Sequence, residues 1–186
     1  RIFSSSGDCL TVERNGVQAF VIARVSQDKA LISNATRCGA DLLLGSKVKS
    51  IRTENTAVVV SAEVVGHRNL RTKKNFLGKV VVSAEGAQSL LTSQLGFQTP
   101  NPRMKLHAIQ FEMSNARLDR HDLVEIFLGR TYAPGFFAWI IPTGSDSVRV
   151  GLASRLPKVY SLLRHFISHE RLVRDKLSSA SIRKIF

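Results

Sequence analysis

The spacing of hydrophobic and polar residues changes period several times along the chain. Through residues 1–22 it alternates in short runs broken by Gly7-Asp8 and Asn15-Gly16, which predicts a small β meander with strands at Ile2–Phe3, Leu10–Glu13 and Ala19–Ile22. Val25, Ala30, Leu31, Ala35 and Cys38 then recur at helical spacing, and Gly39 supplies the usual stop beyond the last turn. Strands are predicted at Asp41–Leu44, around Val48–Arg52 and through Val58–Val65, and the Lys- and Arg-dense stretch 67–79 reads as a solvated hairpin turn. Val80–Ser83 is an apolar strand that runs into a tight turn at Glu85-Gly86 and a helix ending near Leu95.

After a proline-rich connection, QTPNPR at 98–103, strands are predicted at Leu106–Glu112, Leu123–Leu128, Phe136–Ile141 and Val148–Leu152. Helices at about Val159–Ser168 and Arg171–Ser179 close the chain; Leu162, Leu163, Phe166 and Ile167 form an apolar stripe on the first, with Arg164 off it. Strand-helix-strand units before the connection and a mainly antiparallel sheet after it define an α+β, or mixed α/β, fold class. The connection divides the chain into residues 1–97 and 98–186.

Composition narrows the function. The 186 residues, 44% of them hydrophobic, suffice for a sizeable core. No apolar run approaches the roughly 20 residues of a spanning helix, and the first residues lack the pattern of a secretion signal, so a soluble, cytoplasmic setting is expected. Cys9 and Cys38 are isolated and show no metal-ligand spacing, so neither a disulfide framework nor a metal site is expected. The net charge of +13 suits a polyanionic partner. No nucleic-acid motif or aromatic stacking platform accompanies that charge, so nucleic acid is not expected, and peripheral contact with an anionic membrane is the alternative to a merely solvated basic face.

Two stretches carry candidate chemistry. In VVVSAEGAQSLLTSQLG, Val80 to Gly96, a strand turns sharply at an acidic-Gly pair into a helix, which places backbone amides and one carboxylate where α/β sheets bind cofactors. As an ordinary connection, the same turn would carry Glu85 at the helix start because the helix dipole favours it there. In PGFFAWIIP, Pro134 to Pro142, two phenylalanines flank the chain's only tryptophan. Strand geometry puts Phe137, Trp139 and Ile141 on one face and Phe136, Ala138 and Ile140 on the other, so one set can enter a core while the other lines a pocket.

These stretches resemble a known family. The Val80–Gly96 segment is similar to the ADGxxS motif of FAD-dependent oxidoreductases with the para-hydroxybenzoate hydroxylase-like fold, and Arg24, Asp28, Leu31, Ala35 and Gly39-Ala40 are similar to their RxxxDxxLxxxAxxxGA helix. Pro134, Phe137, Trp139, Ile141 and Pro142, followed by Gly151 and Ala153, resemble the PxxYxWxFP...GxG/A signature of geranylgeranyl reductases, with Phe for Tyr and Ile for Phe. The resemblance implies saturation of prenyl double bonds by hydride transfer from reduced FAD. It also implies flavin contacts at Arg24, the Val48 backbone, Glu85 and Gly86, and an isoprenoid channel walled by Phe137, Trp139, Ile141 and Pro142. The implied partner is a prenyl-chain lipid or pigment. It names no catalytic acid; His107 and Tyr132 are candidate proton donors whose simpler reading is structural or exposed.

Three departures mark this chain. Glu85 stands for the usual Asp, Thr92 for a frequent arginine, and no GxGxxG phosphate cradle occurs. The expectation is an internal portion of a longer flavoprotein that alone neither holds FAD tightly nor turns over. Two other readings stand beside it: a different flavoprotein oxidoreductase or monooxygenase on the same scaffold, and a non-catalytic lipid- or membrane-binding module.

Overall fold

A computed structural model describes residues 1–66, 69–98, 101 and 104–186. The first two residues of the predicted basic turn, His67 and Arg68, and most of the proline-rich connection (Thr99, Pro100, Pro102 and Arg103) lie outside the described residues. The chain divides into two compact units, Ile22–Pro102 and Arg1–Val21 with Arg103–Phe186.

The Ile22–Pro102 unit opens with helix α1, Arg24–Arg37. An antiparallel sheet follows, built from β3 (Ser46–Glu54), β4 (Ala57–Val65) and β5 (Arg71–Gly78) in that order. The stretch expected to be a solvated turn is therefore largely a full strand. The register sets Phe76 beside Val60 and Ile51 on one face, while Arg71, Lys73 and Leu77 stand on the other with Glu63 and Arg52. As an edge strand β5 tolerates that many charges, and the charges hide its alternation. A short 3-10 turn at Gly86–Gln88 leads to α2, Leu90–Gln94, whose Gln94 Nε2 donates to the Lys49 carbonyl at 3.2 Å. Residues 19–22, 41–44 and 80–83, expected as strands from their apolar content, form no paired strand; Val82 is 85% exposed.

The other unit holds a seven-stranded sheet. Its strands are β1 (Ile2–Phe3), β2 (Cys9–Leu10), β6 (His107–Ser114), β7 (Glu125–Phe127), β8 (Ala138–Pro142), β9 (Val148–Ser154) and β10 (Ser181–Ile185). Their order is β10-β6-β9-β8-β7-β1-β2, antiparallel except where β1 pairs with β7. The meander thus shares a sheet with residues beyond the proline-rich connection. β10 falls where the sequence shows only Ile182 and Ile185 as strand formers, and it forms because β6 offers an edge.

Helices α3 (Val159–His169) and α4 (Arg171–Leu177) cover one face of this sheet. The expected stripe on α3 is real: Leu162, Leu163 and Phe166 are buried and Ile167 packs against them. They meet Phe111 and Met113 of β6, Val148, Val150 and Leu152 of β9, Ala138 and Ile140 of β8, and Phe127 of β7. Phe127 stacks on Phe3 with centroids 4.8 Å apart and meets Phe166 edge-on at 5.2 Å.

One ion pair is set into that core. Lys176 Nζ on α4 donates to Glu125 Oε1 on β7 at 2.5 Å, with side chains only 12% and 8% exposed. Such a pair gains little over apolar residues of the same volume, and losing Lys176 leaves Glu125 only the more distant Arg1 guanidinium, 3.6 Å from the same oxygen. Lys176→Met is therefore expected to lower unfolding free energy, by less than the roughly 3–5 kcal/mol of a charge left wholly unpaired, in denaturant titration, and adding Glu125→Met should recover much of the loss. Equal stability of single mutant and parent would show that the pair is not desolvated.

Candidate functional site

Because the helices seal one face of the seven-stranded sheet, alternation delivers every second residue to the opposite, uncovered face. The register lines these up across the strands. Gln110 of β6 lies opposite Gly151 of β9, Gly151 opposite Trp139 of β8, Trp139 opposite Ile126 of β7, Ile126 opposite Ile2 of β1, and Ile2 opposite Leu10 of β2. A neighbouring row runs Lys184, Glu112, Arg149, Ile141, with Arg149 and Glu112 3.6 Å apart.

The first row is apolar along most of its length and centres on Trp139. Its indole lies on Gly151, where a Cβ would come within 2.6 Å of Cζ2 and 2.7 Å of Cε2. Glycine is thus required at 151 by close approach of the ring. The indole N–H donates to Gln110 Oε1 at 3.2 Å. Phe137 meets Trp139 edge-on at 6.1 Å and stacks on Phe136 at 4.1 Å. Phe137, Trp139 and Ile141 are each half-buried, whereas Ala138 and Ile140 are enclosed by the core. The face assignment made from strand parity therefore holds for these three. Pro142 differs: it pairs with Val148 and shares the parity of Ala138 and Ile140, which places it on the helix-covered side. The structure brings Phe137, Trp139 and Ile141 together on the open face and leaves Pro142 out.

Neither candidate proton donor stands on that face. Tyr132 belongs to the core, 4.8 Å from Phe166, and its hydroxyl is pushed up to about 12 by burial and, secondarily, by the charge of Glu170. His107 has the parity of Phe111 and lies at the exposed end of β6.

The expected flavin residues lie in the Ile22–Pro102 unit. Arg24 begins α1 with its side chain 80% exposed and donates to Asp28 at 2.9 Å. Val48 sits half-buried on β3, an edge strand beside a register shift. Gly86 has φ +74° and open space where a Cβ would be. Glu85 is otherwise engaged: its carboxylate accepts from the Leu91 amide at 2.9 and 3.1 Å, the Thr92 amide at 2.9 Å and the Thr92 hydroxyl at 3.1 Å. The two departures from the family pattern are thus partners. Glu85 satisfies the amides that open α2, and a carboxylate already so placed repels a phosphate rather than holding one. In the same unit a cavity of about 510 Å³ is lined mainly by Ile51, Val58, Val81, Leu95 and Phe97, with Thr92 among its few polar groups. Its lining carries no cation, which does not suit a diphosphate. Of the expected flavin residues, Arg24 and Gly86 fit by chemistry and open space, and Glu85 does not.

Among the described residues no three metal-ligating side chains cluster, and no helix is long and apolar enough to cross a membrane. Exposed Arg155, Lys158, Arg164, Arg171 and Arg174 make the helical flank of the seven-stranded unit basic.

Comparison with known proteins accounts for this arrangement. Residues 105–184 match the family model of the geranylgeranyl reductase catalytic domain. An uncharacterized protein of Methanocaldococcus jannaschii is 35% identical over 179 residues, 96% of this chain and 44% of that protein. The digeranylgeranylglycerophospholipid reductase of the same organism is 26% identical over 97% of this chain and 45% of its own length. Among solved structures, a geranylgeranyl bacteriochlorophyll reductase-like protein of Thermoplasma acidophilum superposes with a TM-score of 0.80 at 24% identity, covering 100% of this chain and 47% of that one. The myxobacterial halogenase CndH, described as a variant of FAD-dependent halogenases, superposes with a TM-score of 0.69 at 17% identity over 90% of this chain and 40% of its own. The fold is therefore a portion of the flavoprotein oxidoreductase and halogenase fold, with an antiparallel-rich sheet as its larger part. Within that class the chain is similar to the geranylgeranyl reductases, whose catalytic-domain model its residues 105–184 match. It spans somewhat less than half the length of the curated relatives.

The Glu85 arrangement makes a pH-dependent prediction. Hydrogen bonds from the Leu91 amide first, then those from Thr92 and Ser83, hold this carboxyl below its ordinary value of 4.5. A depressed carboxyl stabilises the fold fully above pH 4.5 and loses that contribution as pH falls through its lower folded value. Protection of the Leu91 and Thr92 amides, measured relative to their intrinsic exchange rates, should fall over that acid range, and Glu85→Ala should lower it at neutral pH and abolish the acid-dependent loss. Protection that ignores both acid and the mutation would show that Glu85 does not cap α2.

Proposed function

We propose that the full-length protein is a flavin-dependent reductase that saturates double bonds of a prenyl chain, and that the uncovered face of the seven-stranded sheet is where that chain lies. The observation that carries the reading is the row from Gln110 to Leu10, apolar but for Gln110 and centred on Trp139, on the face that the helices leave open. Unactivated alkenes offer few handles for polar recognition, so shape and dryness must do the positioning, and rigid aromatic walls supply both. Phe137, Trp139 and Ile141 are the wall residues in this reading.

When bound, reduced FAD supplies the hydride for such a saturation. Arg24 would grip phosphate or ribityl oxygens with its planar fork, Gly86 would admit close approach of its backbone, and the Val48 strand edge would face the adenine side. Glu85 supports the site only indirectly, by fixing the start of α2. The basic helical flank suits approach to an anionic lipid surface, an attraction that should weaken as ionic strength rises.

In the full-length protein, Trp139→Ala is expected to reduce kcat/KM for a geranylgeranyl substrate by about 10- to 100-fold, the loss of one large buried apolar contact, with flavin content unchanged. Steady-state kinetics alongside the flavin absorbance ratio checks both halves. Undiminished turnover by a folded, flavin-loaded variant would remove Trp139 from the site.

A further inference from the structure

Gln110 interrupts the apolar row with its only polar side chain, and it does so beside the one tryptophan. Its place is fixed on both sides. Its backbone exchanges hydrogen bonds with Phe186, accepting at 2.9 Å and donating at 3.2 Å, and its side-chain oxygen accepts the Trp139 N–H at 3.2 Å. Gly151 lies between them in register and is fully enclosed under the indole. A Cβ at 151 would also meet the Ile109 carbonyl at 2.8 Å, so neither the ring nor the backbone leaves room there.

An indole N–H can only donate, and in an apolar row its alternatives are an ordered water or no partner. We propose that Gln110 is a positioning residue for Trp139, holding the indole flat on Gly151 so that the row offers a smooth, water-free wall to a branched prenyl chain. This rests on the reading of the open face as the substrate wall. By accepting the N–H, Gln110 selects one of the two broad orientations of the ring and satisfies the indole donor without a water at that position. The prediction is specific to the side-chain oxygen: a residue of the same length without an acceptor should release the ring, and one that keeps the acceptor should not.

The test uses the full-length, flavin-loaded protein, 15N-labelled, with the Trp139 indole cross-peak assigned through Trp139→Phe. Gln110→Met keeps the length and removes the acceptor; Gln110→Glu keeps both length and acceptor. The inference expects Gln110→Met to speed solvent exchange of the indole proton and to raise KM for a geranylgeranyl substrate about three- to ten-fold, the net contribution of one neutral hydrogen bond, at unchanged flavin content. Gln110→Glu should retain the slow exchange and most of the affinity. Indole exchange and KM that stay at parental values in Gln110→Met, while Trp139→Ala still impairs reduction, would overturn the role of Gln110 and leave the wall intact. Faster indole exchange in Gln110→Met, with KM at the parental value in both Gln110→Met and Trp139→Ala, would overturn it by removing the wall itself.

Discussion

A sheet sealed by helices on one face and, among the described residues, without them on the other is the constraint from which the rest follows. α3 and α4 bury Phe111, Ile140, Val150 and Leu152, and because strand side chains alternate, the same strands must present Gln110, Trp139, Ile141 and Gly151 to the other side. No slip of register is tolerated. A shift of one residue would put Trp139 into a core shaped for Ala138 and Ile140 and bring Arg149 among buried aliphatics. Stability and the candidate wall are therefore fixed by one alternation, and the Lys176–Glu125 pair ties α4 to the same sheet.

The Ile22–Pro102 unit obeys a different economy. All of α1 is exposed, and apolar residues such as Val25, Leu31 and Val82 have no cover among the described residues. What order the unit has comes from the β3-β4-β5 ladder and from local hydrogen bonds such as those at Glu85. The exchange of Asp for Glu and of Arg for Thr in the acidic-Gly motif, which in isolation reads as two losses of a flavin contact, is in the structure one capping arrangement. The longer Glu85 reaches the Leu91 and Thr92 amides, and Thr92 adds its hydroxyl.

The legible parts of the sequence were those whose signal is local. The α3 stripe and the face of β8 that carries Trp139 are written in spacing along one segment, whereas the need for Gly at 151 comes from the indole on the neighbouring strand. The illegible parts depend on a partner strand. β5 was hidden by Arg71, Lys73 and Lys74, charges that an edge strand accommodates, and β10 exists because β6 has an open edge. Conversely, residues 19–22, 41–44 and 80–83 are apolar enough to be strands, yet an apolar run becomes a strand only where a ladder receives it. Pro142 was grouped with the wall through a motif that spans two parities, and parity puts it on the other face. Gln110 could not have been found from one sequence, since its neighbour Trp139 lies two strands away and only the register of β6, β9 and β8 joins them.

The central claim, that the open face seats an isoprenoid chain, is tested most directly by photo-crosslinking the full-length protein with a geranylgeranyl analogue carrying a diazirine along its tail and mapping the adducts by mass spectrometry. The account predicts adducts at Phe137 and, on β8, at Trp139 and Ile141, suppressed by excess unlabelled prenyl substrate. Competable adducts confined to other segments, with residues 137–141 unlabelled, would contradict it.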